Sequence, residues 1–362
     1  MRPRLLLTYL EPNSFVRDDI DLLGERYDVR RFPFELHEVE GAVARARALR
    51  RLAAEQWRWL RAEAPGADVI LSWFADYHAV LPVCLGRSAG TPTAVILGGF
   101  DSNHLPELGY GVYHSRWRAG LARYVLRNTD RLLPVSASLI ESESRFATWP
   151  ASRRQGVRAH VRDLTTPYAV VPTGYDPAAW PMGPAERGLT VLTVAHLTSE
   201  RTIRLKGVDL LVETARRMPG VNFRVVGVPT EQETWMRREL DPPVNVELVE
   251  PQPRERLPAI YGEASVYLQV SRTEGMPNVL CEAMLCGCIP VGSRVAGIPD
   301  AIGAAGEIVE APDPDRIAGA IRAAFGRAPE GRHAARDRIL QHFTREHRRL
   351  KLFSVLDSLQ RS

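Results

Sequence analysis

Lysine is almost missing from this sequence. Of 47 basic residues only Lys206 and Lys351 are lysines, and the rest are arginine. Cysteine is scarce as well. Three of the four (Cys281, Cys286 and Cys288) crowd one segment, which excludes a disulfide framework. Without two separated ligand pairs they read as small buried apolar side chains and not as a zinc site. No apolar run approaches the roughly 20 residues that cross a bilayer. The stretch Leu5 to Leu10 is too short for a secretory signal and has no small-residue cleavage site. Charge of one sign is not concentrated either: 47 basic residues face 43 acidic ones, giving a net charge of +4 with no basic block, so no nucleic-acid partner is expected. Neither a G-x-x-x-x-G-K-[ST] loop nor a G-x-G-x-x-G after a strand occurs, which weighs against P-loop and dinucleotide chemistry. What remains is ordinary globular composition, 45% hydrophobic and 25% charged, over 362 residues, a length for two domains. A cytoplasmic two-domain protein is the plain expectation.

Short apolar runs alternate with helix-length periodic stretches nearly from end to end, the pattern of parallel sheets covered on both faces. Strands are predicted at Leu5 to Leu10, Val69 to Trp73, Ala94 to Leu97, Arg131 to Val135 and Tyr168 to Pro172. Helices are expected at Gly41 to Ala62, His78 to Gly90, Ser115 to Asn128 and Ala137 to Thr148. The Pro- and Gly-rich Thr173 to Gly188 reads as a linker. Beyond it strands are predicted at Thr190 to Ala195, Asn222 to Val228, Asn245 to Val249, Val266 to Val270, Ile289 to Gly292 and Glu307 to Val309, again with helices between. The expectation is an α/β protein with a first domain over 1–178 and a second over 189–335. Ile339, Phe343, Leu350, Phe353 and Leu356 then mark one tail helix, with 336–362 packing back on the first domain. Two open parallel sheets each offer a crevice at their strands' carboxyl ends, so chemistry is expected in a cleft between domains.

The richest segment is Ser271 to Gly303. A loop after the predicted strand exposes Glu274 and Gly275, and Pro277 suits a first helical position. The free N–H groups of Asn278, Val279 and Leu280 would then form an anion site, with Glu282 one turn below Asn278. Two carboxylates around an anion site suit a ligand carrying both phosphate and vicinal hydroxyls. A second constellation follows Thr190 to Ala195: a loop with Arg201 and Arg204, then Lys206 at a helix start, the geometry that neutralises phosphate.

Together, KGVDLLVE and EGMPNVLCEAMLCGCIPVGS resemble family 4 of the retaining glycosyltransferases, the glycosyl transferases group 1 domain, over about Leu189 to Phe325. PVSASLIE (Pro134 to Glu141) and VVPTGYDPAAW (Val170 to Trp180) look like that family's last first-domain strands and interdomain link. The resemblance implies the GT-B fold, two Rossmann-like doubly wound domains facing across a cleft. It implies a sugar moved from a nucleoside-diphosphate donor on the second domain to an acceptor hydroxyl on the first, in glycan, glycolipid or envelope polysaccharide synthesis, without metal or other cofactor. Glu274 corresponds to the first glutamate of the E-x7-E motif, on the donor sugar, and Glu282 to the second, on the ribose. Lys206 corresponds to the diphosphate lysine, and Gly275, Met276, Pro277, Asn278 and Val279 would surround sugar and phosphates. One departure stands out. Ala195-His196 replaces the family's usual Gly-Arg, leaving Arg204 or Arg201 as the expected second diphosphate ligand.

The acceptor side is thinner. Glu11 to Phe15 replaces the usual Gly-rich loop, placing Asn13 and Ser14 at the cleft. Gly98 and Gly99 would let backbone approach a ligand, with Asp101, or else His104, projecting to serve the acceptor hydroxyl as catalytic groups. Asp19-Ile20-Asp21 and Asp313-Pro314-Asp315 spell D-x-D, but are better explained as helix-start carboxylates than as a metal site. The Arg-rich stretch 41–62 suggests either a solvated helix face or peripheral contact with the inner face of a membrane. A GT-B sugar-nucleotide epimerase and a non-catalytic sugar-nucleotide binder remain alternatives.

Overall fold

The computed structural model describes residues 2–36, 41–146 and 153–360. In the first half, β1 (Arg4–Tyr9), β2 (Asp28–Pro33), β3 (Val69–Trp73), β4 (Thr93–Leu97) and β5 (Arg131–Pro134) form one parallel sheet in the order β2-β1-β3-β4-β5. Helices α1 (Ser14–Gly24), α2 (Ala42–Glu63), α3 (Val80–Ala89) and α4 (Arg116–Asn128) connect and cover it. The inner strands β3 and β4 are buried at every residue, as uniformly apolar runs between two helix layers must be. Strand β2 escaped the apolar-run criterion because Asp28-Val29-Arg30-Arg31-Phe32-Pro33 is an edge strand with no buried residue.

Two predicted elements are replaced. Tyr168 to Pro172 forms no ladder: Tyr168 bridges Leu132 once, and the N–H groups of Ala169 and Val171 donate to Leu132 and Pro134. Flanking Pro167 and Pro172 have no N–H to extend the pairing. Over 137–146 there is one turn of 3₁₀ helix (Ala137–Leu139), then β6 (Ser142–Glu143), which pairs antiparallel with β7 (Arg154–Gln155) ahead of α5 (Val157–His160); residues 147–148 lie outside the described residues. Glu141-Ser142-Glu143-Ser144 offers no apolar stripe to hold a helix on the sheet. The helix expected over 41–62 forms as α2, but it docks only at its end. Gln56 and Leu60 are buried, whereas Val43 and Trp57 are 67% and 41% exposed.

In the second half, β8 (Thr190–Val194), β9 (Asn222–Val226), β10 (Val246–Val249), β11 (Val266–Gln269), β12 (Ile289–Ser293) and β13 (Glu307–Val309) make a parallel sheet ordered β10-β9-β8-β11-β12-β13. Between them run α6 (Glu200–Leu205), α7 (Val208–Arg216), α8 (Thr230–Glu239), α9 (Leu257–Glu263), α10 (Asn278–Leu285), α11 (Ile298–Ile302) and, after β13, α12 (Pro314–Gly326). Strand order reverses between β1 and β3 in one sheet and between β8 and β11 in the other. Each reversal opens a crevice beyond the carboxyl ends of its strands.

The single tail helix is in fact two, α13 (Glu330–His342) and α14 (Arg345–Gln360). Phe343 leaves helical geometry at φ −134°, and the Thr344 hydroxyl caps the restart by accepting from the His347 N–H at 3.2 Å. Arg336 of α13 donates to the Leu285 carbonyl of the second domain, while α14 returns to the first. There the Arg348 guanidinium grips both Asp19 oxygens at 2.5 and 2.6 Å, and Trp73 Nε1 donates to Asp19 at 2.9 Å. Asp19 is therefore not a helix-start carboxylate but half of a buried ion pair, of the kind whose breakage costs several kcal/mol. Asp313 does cap α12, accepting from the N–H groups of Asp315 and Arg316.

Candidate active site

The segment expected as a loop after β8 folds into α6, because Ser199 and Thr202 form a reciprocal capping box at its start. Lys206 follows its last turn, and Gly207 turns left-handed (φ +71°) to begin α7. A Cβ on Gly207 would lie 2.1 Å from the Val270 carbonyl oxygen, so only glycine lets Lys206 stand this close to the end of β11. Lys206 Nζ donates to Glu274 Oε1 at 2.6 Å. The same oxygen accepts from Ser271 Oγ at 2.9 Å and Gln269 Nε2 at 3.0 Å, so three donors fix the carboxylate at the point where the strand order reverses.

Pro277 sits one place before its expected position, as the N-cap of α10, and has no side chain with which to cap it. The first amides of α10 are thus left without intrahelical partners and face the cleft. The Asn278 side-chain oxygen is held by the Tyr175 hydroxyl at 2.8 Å. One turn down, buried Glu282 meets Arg254 Nη2 at 3.0 Å. Burial pushes its carboxyl up to about 7, against the pull of Arg254 and the Tyr261 hydroxyl.

These groups open onto two adjoining cavities. One, of about 380 Å³, has Lys206, Glu274, Gly275, Met276 and Pro277 on one wall and Phe15, Phe74, Gly98, Phe100 and Tyr110 on the other. The second, of about 790 Å³, is lined by His196, Arg254 and Glu282 opposite Glu11, Arg17 and Glu35. Asn13, Ser14, Asn278 and Val279 border both, so the cavities are one cleft between the two strand-order reversals. The ammonium of Lys206 and the start of α10 share its wall, within reach of a single ligand.

Residues 188–326, which hold every charged group on that wall, match the family model described as glycosyl transferases group 1. The second domain is thus similar to this family. D-inositol 3-phosphate glycosyltransferase of Mycobacteroides abscessus is 35% identical over 105 residues, covering 27% of this chain and 24% of that protein. GDP-mannose-dependent alpha-(1-6)-phosphatidylinositol monomannoside mannosyltransferase of Mycolicibacterium smegmatis is 32% identical over 159 residues, covering 38% and 42%. The chain thus matches less than half the length of these curated relatives. Among solved structures, sucrose-phosphate synthase from Thermosynechococcus elongatus superposes with a TM-score of 0.71 at 16% identity, covering 99% of both chains. HepE of Anabaena in complex with UDP-glucose gives 0.70 at 16% identity, covering 98% of this chain and 99% of that one. The shared fold is GT-B.

In the smaller cavity the first domain presents backbone and rings. Gly275 could not carry a Cβ, which would lie 2.0 Å from the Gly98 carbonyl oxygen, and Gly99 is left-handed at φ +119°. Asn103 Nδ2 bridges the domains, donating to the Glu274 carbonyl at 3.0 Å and Thr273 Oγ1 at 3.1 Å. Phe74 holds φ +72°, a costly conformation for a bulky residue, and its ring fills the space a Cβ on Gly98 would need.

Four expected placements are corrected. Asp101 does not project into the cleft: it is fully buried, accepting from the N–H groups of Ala75, Gly98 and Gly99 and from the Ser102 hydroxyl. Burial raises its carboxyl to about 6. His104 lines neither cavity; its ring lies 5.7 Å from that of His160 and 6.3 Å from that of His114. Arg204 is turned to Glu200 at 3.0 Å, and Arg201 reaches the Gly109 carbonyl at 3.5 Å, so neither side chain borders the cavities. Among the described residues, no group of three or more His, Cys, Asp or Glu side chains is arranged to hold a metal ion, and no helix is long and apolar enough to cross a membrane. Sequence reasoning passed over Gln269 and Ser271. Polar residues at the carboxyl end of an otherwise apolar strand were the signal for them.

Proposed function

We propose that this protein is a retaining, metal-independent glycosyltransferase, taking a sugar from a nucleoside-diphosphate donor on the second domain to an acceptor hydroxyl on the first. The observation that carries the proposal is the convergence of Lys206, the thrice-held Glu274 and the uncapped start of α10 on one interdomain cavity. Breaking the anomeric C–O bond develops positive charge on the sugar and negative charge on the departing diphosphate. Preorganised cations and amides stabilise that leaving charge without a metal. Glu274 would accept from the donor sugar's hydroxyls and Glu282 from the ribose. The family resemblance implies attack from the face the diphosphate leaves, the new C–O bond forming where the old one breaks. In the smaller cavity the titratable side chains are Lys206, Glu274 and Tyr110, and Glu274 is committed to Lys206. The acceptor proton therefore passes to a diphosphate oxygen, and neither Asp101 nor His104 serves as base. Gly98, Gly99 and Asn103 against Thr273 to Gly275 hold the two walls together beside the cavity, where they would limit the access of water.

The aromatic wall of Phe15, Phe74, Phe100 and Tyr110 suits the apolar face of a ring-shaped polyol. The names of the curated relatives point the same way, toward inositol-bearing and lipid-linked acceptors. Helix α2 fits such an acceptor. Its six arginines (45, 47, 50, 51, 58 and 61) against Glu55 and Glu63 carry a net charge equal to the +4 of the whole chain. With Val43 and Trp57 exposed beside them, they would rest on an anionic membrane surface.

Thermal shift with UDP, GDP, ADP and their sugars tests the donor. A ligand at 100 times its Kd stabilises by about 2.7 kcal/mol, and no shift with any of them would overturn the proposal. Product formation across polyol and glycolipid acceptors tests transfer. Donor converted without acceptor would mean an epimerase, and binding without product a non-catalytic protein. Sedimentation with phosphatidylglycerol vesicles, lost in an Arg47→Glu/Arg50→Glu variant, is the outcome expected for α2.

A further inference from the structure

Charge at the donor cavity does not balance. A departing nucleoside diphosphate carries more than one negative charge, while the ammonium of Lys206 already faces a carboxylate at 2.6 Å. The start of α10 adds only about half a positive charge. A second cation is required, and most arginines around the cleft are committed elsewhere. Arg201 lies on the Gly109 carbonyl, Arg204 on Glu200 and Arg254 on Glu282, and Arg272 holds both oxygens of Asp209 at 2.7 and 2.8 Å.

Arg17 is different. It lies in the first turn of α1, on the face that carries Asn13 and Ser14 to the border of both cavities. Its guanidinium is exposed, lines the larger cavity, and makes no ion pair or hydrogen bond among the described residues. The cavity it enters is bordered by the uncapped start of α10 at Asn278 and Val279. We infer that Arg17, delivered across the cleft by the first domain, is the second cation on the donor's diphosphate. This rests on the glycosyl-transfer reading. It also gives closure a driving force, because the donor's negative charge, once seated on the second domain, attracts a cation fixed to the first. His196, across the same cavity, leaves room for it.

Calorimetric titration of the full chain with UDP, GDP and ADP, taking whichever the wild type binds, separates the possibilities. The parent nucleoside serves as a control that has no phosphate. Arg17→Ala is expected to weaken the diphosphate about ten- to a hundredfold and leave the nucleoside and the melting temperature unchanged, with Arg17→Lys recovering part of the loss. Arg204→Ala is expected to bind as wild type. Diphosphate affinity within about twofold of wild type in Arg17→Ala, alongside a large loss in Lys206→Ala, would overturn the role of Arg17 while leaving the donor reading intact. An Arg17→Ala effect confined to the KM of a phosphorylated acceptor would overturn it equally. No diphosphate binding by the wild type would remove the donor reading itself, and Arg17 with it.

Discussion

The two walls of the cleft are built from different materials. On the second domain, side chains at strand ends carry charge and are locked by one another, as Gln269, Ser271 and Lys206 lock Glu274. On the first domain, Gly98, Gly99 and the rings of Phe15, Phe74 and Phe100 shape the space, and the buried carboxylate of Asp101 holds backbone in place. Electrostatic work needs charges that do not reorganise, whereas receiving an acceptor needs shape and close approach. In the smaller cavity charge and shape are divided by domain, whereas in the larger one the first domain brings charge as well, at Glu11, Arg17 and Glu35.

The sharpest way to break this contrast is to strip the charged wall. Lys206→Ala and Glu274→Ala should each lower turnover by about two to three decades with little change in melting temperature. A loss of tenfold or less in both would mean that the charged wall is not where catalysis occurs. Next comes the contact between the walls. Gly275→Ala drives a methyl group into the Gly98 carbonyl, so turnover should fall about a hundredfold while donor binding, measured by calorimetry, stays close to wild type. Equal losses in both would place Gly275 in donor binding instead.

A smaller effect comes from Glu282. Burial raises its carboxyl to about 7, and the ionised form is the better acceptor for ribose hydroxyls. Donor affinity should therefore rise with pH through that range, by about tenfold from pH 6 to pH 8, and Glu282→Gln should flatten the profile. A nucleotide sugar is the right probe, since its diester phosphates do not titrate there. The smallest catalytic effect is expected at Asp101. Asp101→Asn sets an amide against backbone donors and should cost about 1–3 kcal/mol in denaturant unfolding while the folded enzyme still turns over. Full stability with lost turnover would return Asp101 to the acceptor chemistry.

The same contrast explains what could be read from the sequence. The second domain announces itself because its charged residues stand at fixed distances from strand ends, as Lys206, Glu274 and Glu282 do. The first domain's wall rests on main-chain approach and on which aromatic rings happen to meet, and neither leaves a spacing in the sequence. Asp101 illustrates the difficulty: an aspartate after a Gly-Gly pair looks the same whether it faces a ligand or folds back on those two amides. Strand β2 went unseen because an edge needs no apolar run, and α6 because its capping box sits in a polar stretch. Arg204 and Arg17 differ by pairing, Glu200 holding one and no described residue holding the side chain of the other, and the order of arginines along the chain does not record that.

One contact in the tail bears on how the walls move. The interdomain link and the break between α13 and α14 run side by side, the Tyr175 N–H donating to the Phe343 carbonyl at 2.9 Å and the Arg345 N–H to the Tyr175 carbonyl at 2.8 Å. Two parallel tethers act as a piano hinge and not as a swivel. Such paired crossings resist sliding or twisting of one half on the other, which keeps Gly98 in line with Gly275.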